Sequence, residues 1–139
     1  MVWKRRIALL RSINRPTEAI NQLTLLLDTF TNDVEGWAEL ADLYISQDML
    51  SQAAFCLEEF ILLQPFSHHA HAQYAEVVWV QGKEATALKH WSRSVELCGD
   101  FLRGWFGVKT VHLVRYRTDM VGYEEDFGEY REWKGSWTK

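Results

Sequence analysis

The sequence repeats itself with a period of about 34 residues, and this spacing limits the folds that the chain can adopt. Trp3 and Trp37 are one period apart, and Trp105 follows two periods later. His71 occupies the position between the last two tryptophans. Two further sets recur with the same period: the small residues Ala19, Ala53 and Ala87, and the large apolar residues Leu23, Leu57 and Trp91. Several sets with one period predict stacked copies of a single supersecondary unit.

A fourth set with this period marks a turn inside each copy. Asn14, Asp48 and Gly82 follow one another at one-period intervals, and all three are residue types that tolerate a left-handed backbone conformation. A helix that ends in a tight turn needs such a residue just after its last turn. We therefore expect each copy to contain two helices, with the first one ending at this position.

Apolar residues on either side of these turns have helical spacing. In the copy that begins near Trp37, one stripe continues through Ala41 and Tyr44, and a second runs through Leu57. Pro65 ends the second helix because proline cannot continue one. Applied to every copy, the pattern predicts helices at about 2–13, 16–30, 33–47, 50–64, 67–81, 84–98 and 101–116.

The spacing of the best-preserved copy resembles the tetratricopeptide repeat. The motif W-x-x-L-A-x-x-Y is present as Trp37, Leu40, Ala41 and Tyr44, and Ala53, Leu57, Phe60 and Pro65 follow at the expected offsets. The resemblance implies an all-α tetratricopeptide-repeat superhelix, an α-solenoid, with about three helix pairs plus one further helix. We expect the array to occupy residues 1–116. Residues 117–139 have glycines at 122, 128 and 135 and no apolar period, which predicts an irregular C-terminal tail.

Composition and motifs argue against several classes of function. The net charge of −4 gives no basic surface for nucleic acid, and the longest apolar runs are far too short to span a bilayer. Cys56 and Cys98 are distant in sequence and form no C-x-x-C motif. This indicates that they are small core residues of a protein in a reducing compartment. His68, His69 and His71 lack a Cys or carboxylate nearby to complete a metal site. No catalytic motif is present, so we expect no enzyme activity, no cofactor and no metal.

The residues between the repeat positions show a more specific resemblance. They resemble subunit two of the endoplasmic-reticulum membrane protein complex, from about Lys4 to Gly107, in the segments KRRIALLRS, EAINQLTLLLDTF, WAELADLYISQ, QAAFCLEEFILLQP and QYAEVVWVQG. Members of that family have further repeats before the point where Met1 falls here. The resemblance therefore implies a shortened form of the family, in which apolar groups of the first helix, namely those of Trp3, Ile7 and Leu10, are partly exposed.

The resemblance also implies a role. The expected protein is a peripheral scaffold on the cytoplasmic side of the endoplasmic reticulum membrane, with no membrane span of its own. Its partners are the other subunits of the complex, and it supports insertion of tail-anchored and multi-pass membrane proteins. Two alternatives are a free-standing peptide-binding adaptor or co-chaperone, and a remnant with too few repeats to assemble.

In a superhelix of this type the first helices of the repeats line the concave face. The family register places these residues there: Glu35, Asp42, Ile45, His69, Glu76, Trp79, Arg103, Phe106 and Leu113. The lining is acidic and apolar, whereas repeats that clamp a chaperone C-terminus use Lys, Arg and Asn at these positions. Trp79 and Phe106 are either anchors for a partner or caps on the core between repeats.

Overall fold

The computed structural model describes the backbone of residues 2–137 and the side chains of residues 2–120. The described chain is all-α. Its helices are α1 (Val2–Ser12), α2 (Pro16–Thr29), α3 (Val34–Ser46), α4 (Leu50–Leu63), α5 (His68–Val80), α6 (Glu84–Leu97) and α7 (Leu102–Trp137). Every predicted boundary except the end of the last helix is correct to within one residue. The pairs α1–α2, α3–α4 and α5–α6 pack together, and each pair packs on the next.

The turn within each pair has the predicted left-handed residue. The backbone angle φ is 59° at Asn14, 57° at Asp48 and 84° at Gly82. After each of these residues, the next backbone N–H donates to a carbonyl five residues earlier, as in the bond of 2.9 Å from Met49 N to Tyr44 O. This is the Schellman arrangement, in which the turn satisfies carbonyl groups that the helix end leaves free. The predicted caps are therefore confirmed.

These caps give a pair of substitutions with opposite expected signs. Gly82→Ala puts a Cβ on a residue with positive φ and should lower the free energy of unfolding by about 1 kcal/mol. Asp48→Gly removes a Cβ from the same conformation and should raise it by a few tenths of a kcal/mol, or leave it unchanged. Urea denaturation followed by circular dichroism measures both. A Gly82→Ala variant as stable as wild type would contradict the assignment of the turn.

The two sets of core residues occupy equivalent places in the three pairs. The alanines Ala19, Ala53 and Ala87 have no exposed surface, and the large residues Leu23, Leu57 and Trp91 are buried. An alanine at the contact lets two helix backbones approach closely, and the large residue one turn away fills the space beside it. Because neighbouring pairs share this core, each pair depends on the next for stability.

The first helix is better covered than the sequence suggested. Trp3 is 49% exposed, in line with the expectation, but Ile7 and Leu10 are buried in the common core. The expectation of exposure is therefore wrong for these two residues. Helix α1 packs on α2, and both residues belong to the core that the helices share.

The last helix differs from the expectation at its end. The sequence predicted an irregular tail over 117–139, whereas α7 continues as a helix to Trp137. The tail contains no proline, and glycine weakens a helix by only about 1 kcal/mol per residue without blocking it. Residues 138 and 139 lie outside the described residues, and the division of the chain at residue 116 stays a prediction. Within the described part of the chain, no helix has both the length and the apolar character needed to cross a membrane.

Candidate functional site

Several of the residues assigned above to the concave face make polar contacts between the first helices of successive repeats. At one end, Lys4 Nζ on α1 lies 2.6 Å from Glu35 Oε2 and 3.3 Å from Asp33 Oδ2 at the start of α3. The hydrogen bond with Glu35 raises the pKa of Lys4 above its ordinary value. The first candidate carboxylate is thus already paired within the chain.

The next two contacts join α3, α5 and α7. Gln73 Nε2 donates to Asp42 Oδ1 at 2.6 Å. Arg103 donates through Nε and Nη2 to the two carboxylate oxygens of Glu76, both at 2.5 Å, in the two-pronged geometry that guanidinium and carboxylate groups prefer. The bond with Glu76 raises the pKa of Arg103. The structure therefore brings Asp42, Glu76 and Arg103 together as links between repeats.

The two aromatic candidates differ in their surroundings. Trp79 is half-buried and packs on Trp91 of α6, with 5.8 Å between the ring centroids. Ile45 is likewise partly buried against the core. Phe106 is 67% exposed, and Leu113, two turns further along α7, is exposed as well. Trp79 thus packs within the pair α5–α6, whereas Phe106 is available for contact with another molecule.

His69, the remaining candidate, lies at the start of α5 beside an aromatic ring. The rings of His68 and His69 pack edge to face with that of Phe101, at centroid distances of 4.7 and 4.9 Å. Burial, together with the charges of His68 and Arg103, lowers the pKa of His69. Among the residues that the structure describes, no three His, Cys, Asp or Glu side chains are grouped as metal ligands.

His71 has a structural role equivalent to that of the tryptophans in its register. The indole N–H of Trp37 donates to Thr31 O at 2.8 Å, and that of Trp105 donates to Gly99 O at 2.7 Å. In each case the acceptor lies six residues earlier, in the turn between repeats. His71 Nε2 makes the corresponding bond to Pro65 O at 2.9 Å. Its ring N–H therefore replaces the indole N–H as the donor that fixes this turn.

The other ring nitrogen of His71 contacts a second histidine. His71 Nδ1 and His90 Nδ1 are 3.0 Å apart, and the rings stack with their centroids 5.2 Å apart. Since the Pro65 carbonyl only accepts, neutral His71 has its proton on Nε2. His71 Nδ1 is then an acceptor, and His90 Nδ1–H is the donor. The proton on His90 Nδ1 thus forms the hydrogen bond between the two rings. If both rings are protonated, both Nδ1 atoms are donors and this bond is lost.

This pair predicts a loss of stability in mild acid. Burial, the neighbouring His71 and Lys89 lower the pKa of His90, against a smaller opposite effect of Glu58. Because the pKa is lower in the folded chain, the unfolded chain takes up the proton first as the pH falls below about 6.5. The contribution of His90 to the free energy of unfolding is therefore fully present above that pH and is lost as the pH falls below it. We expect His90→Gln to reduce this fall between pH 7 and pH 5.

Thermal melts at the two pH values measure the effect. His112→Gln is the matched control, because His112 is an exposed histidine on α7. Equal pH dependence of wild type and His90→Gln would contradict the role assigned to the pair.

Comparison with known proteins agrees with this architecture. Residues 1–95 match the family model described as the EMC2 TPR-like repeat domain. The chain is 36% identical to ER membrane protein complex subunit 2-A of Xenopus laevis over 98% of its own length and 48% of the relative's. It is 45% identical to TPR repeat protein oca3 of Schizosaccharomyces pombe over 78% of this chain and 40% of that one. The chain thus spans less than half the length of these relatives.

Solved structures with low sequence identity share the fold. A crystal structure of MamA protein has a TM-score of 0.77 at 17% identity and covers 82% of this chain and 62% of that one. The first TPR of Spaghetti, solved with an HSP90 peptide, has a TM-score of 0.74 at 16% identity and covers 83% and 91%. Together with the family match, the repeat spacing and the helix pairs lead to one conclusion: the chain belongs to the EMC2 TPR-like repeat family, with the fold of a tetratricopeptide-repeat solenoid.

Proposed function

We propose that this chain is a scaffold subunit of an endoplasmic reticulum membrane protein complex and supports the insertion of tail-anchored and multi-pass membrane proteins. It works through protein–protein contacts, peripherally, on the cytoplasmic side of the membrane. The family match and the named relatives support this proposal. Its partners are the other subunits of the complex, which it holds by segments that lie along the concave face.

The exposed Phe106 carries the assignment of the partner surface. Glu35, Glu76 and Arg103 are already in ion pairs across repeats, and Asp42 accepts a bond from Gln73, so an incoming charged group would compete with these contacts. An apolar segment needs no such exchange. Phe106 and Leu113 offer it exposed apolar surface on α7, and aromatic residues contribute strongly to binding at interfaces.

The surface does not favour the adaptor alternative. Of the concave residues named above, only Arg103 bears a fixed positive charge, and Glu76 neutralises it through both oxygens. A carboxylate-binding clamp needs unpaired cations or amide donors. Acidic chaperone tails therefore find little attraction here.

Co-purification tests the proposal. Wild-type protein with an affinity tag should recover subunits of the membrane protein complex, and Phe106→Ala should weaken their binding about tenfold, which corresponds to about 1.4 kcal/mol. Phe66→Ala is the matched control, because Phe66 is a similarly exposed ring in the turn between α4 and α5. Trp79→Ala is unsuitable because it also removes core packing against Trp91.

Two results would count against the proposal in different ways. If wild-type protein recovers no subunit of the complex, the scaffold role is wrong and the adaptor takes its place. If Phe106→Ala is folded by circular dichroism and recovers every subunit at the wild-type yield, the concave face is not the binding surface.

A further inference from the structure

A groove of about 440 Å³ lies between α2 and α4, above α3 and away from the candidate residues of the concave face. Its base contains the buried side chains of Leu40 and Cys56, and its aromatic wall contains Trp37 and Phe55. These two rings meet edge to face, with centroids 6.1 Å apart. The volume is within the range of clefts that enclose a bound group, about 300–1,000 Å³.

The next repeat shows the same place filled by its own side chains. One period after Leu40 and Cys56 stand Tyr74 and His90. Tyr74 donates to Glu58 at 2.7 Å, and its ring contacts that of His90, which is bonded to His71. The smaller apolar residues Leu40 and Cys56 therefore leave a groove open in one repeat. In the next repeat the larger residues Tyr74 and His90, which are hydrogen-bonded, fill the equivalent space. The opening distinguishes this repeat from the one that follows it.

The base of the groove is chemically inert. Burial raises the pKa of the Cys56 thiol to about 12, so the thiol stays protonated at neutral pH. A protonated buried thiol behaves as a small apolar group and not as a nucleophile. The groove can therefore bind an apolar side chain without a covalent reaction at Cys56.

One charged group stands on the groove wall. Asp28 lies in the last turn of α2, where the helix dipole is negative and disfavours a carboxylate. Its side chain is exposed and forms no ion pair with any side chain in the described part of the chain. A cation placed beside it would relieve the unfavourable interaction with the dipole, which selects the charge of the occupant.

We infer that this groove binds a short peptide segment of a partner protein, which inserts a bulky apolar side chain over Leu40 and places a Lys or Arg beside Asp28. The aromatic wall and the apolar base bury the apolar side chain of the peptide, which favours binding. The lone carboxylate takes the second, and it fixes the direction of the segment. This surface is separate from the concave face, so it can be occupied whether or not the proposed scaffold contacts form.

A random dodecapeptide library displayed on phage, selected against the immobilised full chain, is the probe. The selected peptides should share a bulky apolar residue within a few positions of a Lys or Arg. A labelled synthetic peptide of that sequence should bind wild type in fluorescence anisotropy. Asp28→Lys should weaken binding at least tenfold, and so should the double change Leu40→Tyr with Cys56→His, which copies the filled groove of the next repeat.

The controls separate this site from other surfaces. Asp100→Lys makes the same charge change at an exposed loop position, and Phe106→Ala alters the concave face; neither should affect the affinity. Asp28 is exposed, so its variant tests the site even if the double variant does not fold. The inference is overturned if no peptide is enriched, if the enriched peptides lack the basic residue, if Asp28→Lys binds as tightly as wild type, or if only small apolar dyes bind.

Discussion

Replacing Gly107 with alanine is expected to lower the free energy of unfolding by about 3 kcal/mol, at the upper end of the cost of overpacking a core. A Cβ at this position would overlap the indole ring of Trp91, and Trp91 is itself almost fully buried and cannot swing into solvent. In an open helix the same change would stabilise the chain by about 1 kcal/mol. The sign of the effect therefore tests the close contact between α6 and α7.

Urea denaturation followed by circular dichroism provides the measurement. Gly99→Ala is the matched control, because a Cβ there meets no atom within 4 Å. An unchanged or increased stability of Gly107→Ala would show that α7 does not pack on Trp91 through this glycine.

Replacing Leu57 with alanine is expected to lower the free energy of unfolding by about 2–5 kcal/mol. Leu57 has no exposed surface, and its loss leaves a cavity that the neighbouring helices cannot fill completely. Leu62→Ala is the same change in the same helix, but Leu62 is 74% exposed and should have an effect below about 0.5 kcal/mol. Equal effects at the two positions would mean that the repeat register has been assigned incorrectly.

The repeat could be predicted because its determinants are local. The turn requires a positive φ at positions 14, 48 and 82, and Asn, Asp and Gly are residue types that tolerate it. The residue types therefore reveal the turn in the sequence. The spacing of the alanines then fixes which faces meet. The extent of α7 was not predictable in the same way, since a glycine-rich segment without an apolar period has no local signal that ends a helix.

The candidate site was predicted less completely, because its contacts depend on side-chain geometry between repeats. Lys4 and Gln73 were missed, although each lies 31 residues from its carboxylate partner, slightly less than one repeat. That offset places the two residues nearly one turn apart on adjacent first helices, so a search for polar pairs at this spacing would have found them. Trp79 and Phe106 looked equivalent in the sequence, and only the position of Trp91 distinguishes them.

Site-specific photocrosslinking tests the central proposal most directly. A photoreactive phenylalanine analogue at position 106 reports on the proposed partner surface, and the same analogue at position 66 reports on the turn between α4 and α5. In cells, position 106 should crosslink to subunits of the endoplasmic reticulum membrane protein complex, identified by mass spectrometry, and position 66 should not. Crosslinks to those subunits from position 66 alone, or crosslinks from position 106 to chaperones alone, would contradict the proposal that the concave face scaffolds the complex.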